Sequence, residues 1–239
     1  MIEISTESAS VSQHNDNLIS ERSIEFEQGL GREETANLIT HAGGFLLAVV
    51  GAIYLLNAIA GNSNGLLVFG CWVYALGLVA VYGASSLSHM FANPSRRSFF
   101  RRVDQGVIFL FIASCFTPFA IVYLHGNVWM TLLGVMWVVA LIGFCSKLFW
   151  GYRVEATAVT HYLVLGWLPV TAAEPILRSL SMGGFFWSLG GGLCFTIGTI
   201  FLWNDSKHPS FHPIWHLLVV AGSYCHYVVI TDYVILHQV

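Results

Sequence analysis

The chain has 239 residues, of which 56% are apolar and only 10% charged, with a mean hydropathy of +0.68. A soluble domain carries about a quarter charged residues, so the composition excludes one and describes a multi-pass membrane protein. Ten basic residues against thirteen acids give a formal net charge of −3, which leaves no footprint for nucleic acid.

In chain order, the first segment is Met1–Ala36, with eight acids against Arg22 and Arg32. It has neither the arginine-rich, acid-poor pattern of a transit peptide nor the apolar core of a signal peptide. It is expected to be a solvated, disordered cytoplasmic tail, and residues 37–239 to be the transmembrane domain. That domain contains seven apolar runs: Asn37–Ala60, Gly65–Phe91, Asp104–Leu124, Val128–Trp150, Ala156–Ala173, Gly183–Trp203 and His212–Leu236. Most are long enough for a hydrocarbon core that needs about 20 residues. Turn formers separate them, among them Gly61-Asn62-Ser63-Asn64-Gly65, Asn93-Pro94-Ser95 and His125-Gly126-Asn127. The fifth run is the weakest, being short and holding Pro169. The fold class is therefore all-α, a seven-transmembrane-helix bundle.

Basic residues set the orientation. Arg22, Arg32, Arg96, Arg97, Arg101, Arg102, Lys147, Arg153 and Lys207 fall on one side of the seven-span reading, and only Arg178 on the other. The N-terminus is expected inside and, after seven spans, the C-terminus outside. His89 then ends the second span, Asp104 begins the third, and His212 and His216 begin the seventh, all on the cytoplasmic side.

Ionisable groups at membrane depth are costly and point to function. His212 and His216 are one turn apart on one helix face, a geometry in which two imidazoles grip one ion. With His89 they make three imidazole ligands, the protein share of a catalytic zinc site. Pro213 suits the first helical position, which puts His212 at the cap. Ser85 stands one turn before His89. Its hydroxyl can orient a ligand, touch bound water or bind a substrate carbonyl, but is itself a poor zinc ligand. A Zn2+ ion here would activate water and polarise a carbonyl, with Asp104 orienting the water and accepting its proton. Such a site suits hydrolysis of a lipid amide or ester near the headgroups.

Taken singly, each residue has a plainer reading. Asp104 after Arg101-Arg102 reads as an ordinary N-cap, and His89 as an interfacial side chain. His226 lies about 15 Å deeper than His216 along its helix and cannot share the ligand shell, so a helix–helix hydrogen bond is expected there. His161 is expected to pack, while Asn37 and His41 brace the site or cap the first helix. The five cysteines, Cys71, Cys115, Cys145, Cys194 and Cys225, all fall in apolar stretches and read as small core residues.

Several separated stretches also resemble a known family. They are Glu33-Glu34-Thr35-Ala36-Asn37 with Ile39-Thr40-His41, Ser85-x-x-x-His89, Arg102-Val103-Asp104-x-x-x-Ile108-Phe109, Thr117-Pro118-Phe119, and Trp203-Asn204-Asp205 through His212-Pro213-Ile214-Trp215-His216 to Cys225-His226-Tyr227. From Gly31 to Tyr233 the chain resembles the hemolysin III group of the progestin and adipoQ receptor family. The resemblance implies a seven-helix bundle with the N-terminus inside and a zinc ion on His89, His212 and His216. It also implies Asp104 at the zinc water with Ser85 beside it. Relatives in that family include the adiponectin receptors and, more distantly, alkaline ceramidases, so lipid amidohydrolysis is the chemistry implied. The expected setting is a bacterial cytoplasmic membrane and the expected partner a membrane lipid. Two alternatives stand beside this: a pore-forming or cytolytic protein, as the hemolysin name implies, and a sensor of membrane state or ligand with a structural zinc.

Overall fold

A computed structural model describes residues 34–91, 93–124, 126–150, 156–208 and 210–235, so Met1 to Arg32 and Glu33 of the acidic tail lie outside the described residues. Among the described residues every apolar run is helical. The helices are α1 (Glu34–Ala58), α2 (Gly65–Met90), α3 (Pro94–Tyr123), α4 (Asn127–Trp150), α5 (Ala156–Trp167), α6 (Ala173–Ser179), α7 (Met182–Trp203) and α8 (Phe211–Val228). α8 continues as a wider π-helical turn over Val229–Ile235. Six of these, α1, α2, α3, α4, α7 and extended α8, are long and apolar enough to cross a membrane. The first and third hairpins turn on Gly61 and Gly126, at φ of 80° and 118°, where a side chain would be strained.

Three sequence expectations need correction. The fifth run is not one helix: α5 ends at Trp167, a 3-10 turn over Leu168–Ala172 contains Pro169, and α6 follows. Proline cannot donate a backbone hydrogen bond, which interrupts the helix there. The third helix begins ten residues before Asp104. Asn93 caps it by accepting from the Ser95 and Arg96 amides, with Pro94 in the first turn. Arg96 to Arg102 are therefore helical, and Asp104 lies inside α3 rather than at its cap. Likewise α8 starts at Phe211, so His212 sits in its first turn, and Pro213 falls where an amide would be unpaired anyway.

Small residues let the helices approach closely. Gly70 of α2 lies against the backbone of Pro118 in α3, where a Cβ would come within 2.7 Å of the proline Cα. α1 rests on α2 and α8, with the Tyr82 ring over Gly44 and the Tyr227 ring over Gly51. The Tyr227 hydroxyl donates to the Gly51 carbonyl at 2.9 Å. α3 also packs on α4 and α5, α5 on α7, and α7 on α8. The most apolar stretch of α3 is 67% buried against 17% in α4, so α3 is central and α4 peripheral. Outward faces stay apolar: Leu46, Leu47, Val50 and Ile53 on α1, and Val138, Leu141 and Ile142 on α4, are all more than half exposed. In water so much apolar surface would drive association; in a bilayer it is the solvated face.

Candidate metal centre

At one end of the bundle, α1, α2, α3 and α8 bring their polar residues together. His89 leaves the last turn of α2, while His212 and His216 leave the first turns of α8. Their ligand atoms all lie within 4.8 Å of one another. The His212 and His216 rings are 4.5 Å apart between centroids, and His89 is 5.1 Å from His216 and 5.4 Å from His212. The topology thus gathers the three histidines that spacing singled out.

Each imidazole is held from behind. His89 Nδ1 lies 2.8 Å from Glu34 Oε2, and His212 Nδ1 lies 3.1 Å from Asp205 Oδ2. A carboxylate accepts, so in each pair Nδ1 donates and Nε2 is the nitrogen turned away from the carboxylate. His216 is 1% exposed. Its Nδ1 lies 3.4 Å from Thr40 Oγ1, with the Asn37 carbonyl also in reach. Glu34 is itself anchored by Arg97 and by Arg101, whose Nη2 donates to Oε1 at 3.2 Å. Carboxylates that orient imidazoles in this way fix the tautomer and raise the ligand's basicity.

Asp104 faces His89 and His212 from α3. The Ser88 hydroxyl donates to its Oδ2 at 3.2 Å and also reaches the Ser85 carbonyl at 2.8 Å. Ser85, buried one turn from His89, stands beside the same carboxylate. His41 packs on the site, its ring 3.6 Å from that of His216. His161 is exposed on the bundle's outer face instead. Of the five cysteines, Cys71 is buried and Cys145 exposed.

The sequence reading missed Glu34, Asp205, Thr40 and Ser88 as parts of the site. Glu34 was assigned to the tail, yet it begins α1. Asp205 lies in the turn Asp205–Lys207 between α7 and α8, where no helical spacing links it to His212. Ser88 was legible in principle, one residue from His89 and directed toward the neighbouring helix.

Beneath this layer an elongated cavity of about 270 Å³ runs between α3, α5, α7 and α8. Its upper wall includes Ile108, Tyr162 and Trp215, within about one turn of Asp104 and His216; its lower wall includes Phe185 and Ile230. Trp215 to Ile230 on α8 corresponds to about 22 Å of helix. The wall is almost wholly apolar. The Tyr162 hydroxyl turns away from it to donate to the Gln105 carbonyl at 2.9 Å.

These features define an all-helical, multi-pass membrane protein with a buried histidine cluster at one end and an apolar cavity under it. The chain belongs to the haemolysin-III related family, whose pattern matches residues 31–227. It is 34% identical to "Hemolysin-3" of Bacillus cereus, over 80% of this chain and 87% of that protein. It is 33% identical to "Hemolysin-3 homolog" of Bacillus subtilis (strain 168), over 80% of this chain and 90% of that protein. The human "Monocyte to macrophage differentiation factor" is 26% identical, over 84% of each chain. No solved structure gives a significant match. The family resemblance read from the separated motifs is borne out.

Proposed function

We propose that this chain is a zinc-dependent hydrolase of membrane lipid amides or esters, with His89, His212 and His216 as the metal ligands. The observation that carries this is the convergence of three imidazole nitrogens within 4.8 Å directly above a chain-shaped apolar cavity. The residues fit the ion: Zn–N bonds are about 2.0–2.1 Å, and two of the three rings have carboxylates that direct Nε2 away from Nδ1. Zinc in such a site supplies Lewis acidity, polarising a carbonyl and making water a nucleophile near neutral pH.

The chain's own residues do the rest. Among the described residues, Asp104 is the one carboxylate facing the histidines that is not spent on an Nδ1 proton, which makes it the general base. Ser88 holds its Oδ2 and so sets which oxygen meets the attacking water. Ser85 binds the substrate's polar group beside it. The cavity takes the lipid chain, and its apolar wall excludes water from the far side of the scissile bond. Glu34 and Asp205 keep the rings oriented without entering the reaction.

The site is assigned to the cytoplasmic face of a bacterial plasma membrane. Arg96, Arg97, Arg101 and Arg102 share its end of the bundle, as the positive-inside rule requires of a cytoplasmic end. The N-terminus is accordingly inside and the C-terminus outside. A single cysteine at position 97, in a chain otherwise free of cysteine, should be labelled from inside-out vesicles and protected in intact cells. Labelling from outside would overturn the orientation.

The names of the Bacillus relatives favour a second reading, cytolysis. Against it, the cavity wall is almost wholly apolar, which is unsuited to an aqueous pore. Incubating the purified, zinc-loaded protein with labelled long-chain lipid amides and esters decides between the readings. Release of fatty acid that stops on chelation and returns with zinc is the expected result. Dye release from vesicles without any lipid cleavage would favour cytolysis and end the hydrolase reading.

A further inference from the structure

The apolar cavity has one polar place. Tyr162, Trp167, Ser188, Thr196, Thr199 and His226 bring its polar side chains. Four of these six are committed within the protein. Tyr162 donates to Gln105, and Trp167 Nε1 donates to Thr196 Oγ1 at 3.0 Å. Thr196 in turn donates to the Gly192 carbonyl, and Thr199 to that of Thr196, each at 2.7 Å. His226 and Ser188 remain. Among the described residues no hydrogen bond reaches the His226 ring or the Ser188 hydroxyl.

Both line the cavity on the facing helices α7 and α8. The His226 ring lies over Gly191, so closely that a Cβ there would come 2.7 Å from its Cδ2. Ser188 stands one turn before Gly191 on the same helix. The ring also stacks on Phe195, 5.6 Å between centroids and 9° from parallel. Packing between α7 and α8 needs only a flat ring at this position, and phenylalanine would supply one. The imidazole adds a donor and an acceptor that packing does not use, inside a cavity whose other hydroxyls are satisfied. Both residues are half-buried and line the apolar cavity, where a polar atom without a partner is costly, so the partner comes from what fills the cavity.

We propose that His226 and Ser188 form a polar subsite that binds a hydroxyl, or an equivalent hydrogen-bonding substituent, on the lipid chain. This rests on the reading of the cavity as the chain's binding place, and it names the substrate class more closely. His226 lies about 15 Å along α8 from His216. An extended chain advances about 1.2 Å per bond, so the substituent falls roughly a dozen bonds from the carbonyl at the metal layer. A neutral imidazole and a serine hydroxyl together offer two donors and three acceptor lone pairs, which suits a hydroxyl that both gives and takes a hydrogen bond. An unsubstituted chain would fill the space but leave both groups unpaired.

The test uses the full chain in detergent and two labelled probes. One is octadecanoic acid; the other is the same acid hydroxylated at the carbon about twelve from its carboxyl. Wild type should retain the hydroxylated acid about five-fold better, the scale of one hydrogen bond. His226→Phe keeps the ring over Gly191 and should bring the two acids to parity while octadecanoic acid still binds, which doubles as the check on folding. Ser188→Ala should reduce the preference in the same direction. Equal binding of both acids to wild type, or a preference that survives in the His226→Phe, Ser188→Ala double variant, would overturn the subsite alone. Binding of neither acid would overturn the lipid-cavity reading, and the subsite with it.

Discussion

His216 and His226 stand ten residues apart on α8 and meet different surroundings. His216 sits among two further imidazoles, with Thr40 Oγ1 near its Nδ1 and the Asn37 carbonyl in reach, while carboxylates back the other two rings. His226 sits against Phe195 and Gly191, facing an apolar cavity. The same side chain on the same helix is therefore a candidate metal ligand at one depth and a candidate lipid contact at another. What differs is the supply of partners. Polar groups behind the clustered rings, carboxylates at His89 and His212 and the Thr40 hydroxyl at His216, orient them as ligands; a glycine under a ring merely admits it.

The sharpest way to break this comparison is to remove the base and leave the ligands. Asp104→Asn keeps the side chain's shape and its contact with Ser88 but cannot accept a proton. Turnover of a lipid amide should fall by about 10²–10⁴-fold with metal content unchanged. Since Asp104 lies inside α3, with Asn93 as the cap, no capping loss accompanies the change. Wild-type turnover would remove Asp104 from the mechanism, while loss of metal would make it a ligand.

A smaller effect is expected from the groups behind the rings. Asp205→Asn and Glu34→Gln each leave a side chain of the same shape that can still hydrogen-bond but carries no charge. Metal affinity should weaken by about 10- to 100-fold in each, with the helices intact. Competition against a zinc chelator measures this, and unchanged affinity would reduce both carboxylates to surface ion pairs, worth about 0–1 kcal/mol.

The smallest expected effect lies at the other end of α8. Gly191→Ala places a methyl group against the His226 ring, which overpacks the α7–α8 contact. A loss of about 1–3 kcal/mol in stability is expected, with zinc content preserved. Loss of zinc from this variant would show that the two ends of α8 are not independent.

The sequence revealed the three histidines because helical spacing and span direction together are enough to gather them. It revealed Asp104 as a residue but misjudged its setting. Arg96 to Arg102 are too polar for an apolar run, and hydropathy reports immersion in lipid rather than helicity. The Asn93-Pro94 pair was the available signal for the true start of α3. Glu34 stayed hidden for the same reason, a helix that begins before its apolar stretch does. Asp205 reaches His212 across a turn, and no periodicity encodes that. The broken fifth crossing was legible through Pro169, though its division into two helices was not. The place of His226 on the cavity wall depended on Gly191 and Phe195 of another helix, beyond any reading of α8 alone.

The three clustered histidines, and not the deeper one, are proposed to hold a single zinc ion. Elemental analysis of the detergent-purified, dialysed protein is the decisive experiment, comparing wild type, a His212→Ala, His216→Ala double variant, and His226→Phe. About one zinc per chain is expected in wild type and in His226→Phe, and almost none in the double variant. Wild type without stoichiometric zinc, or a double variant that keeps it, would contradict the claim.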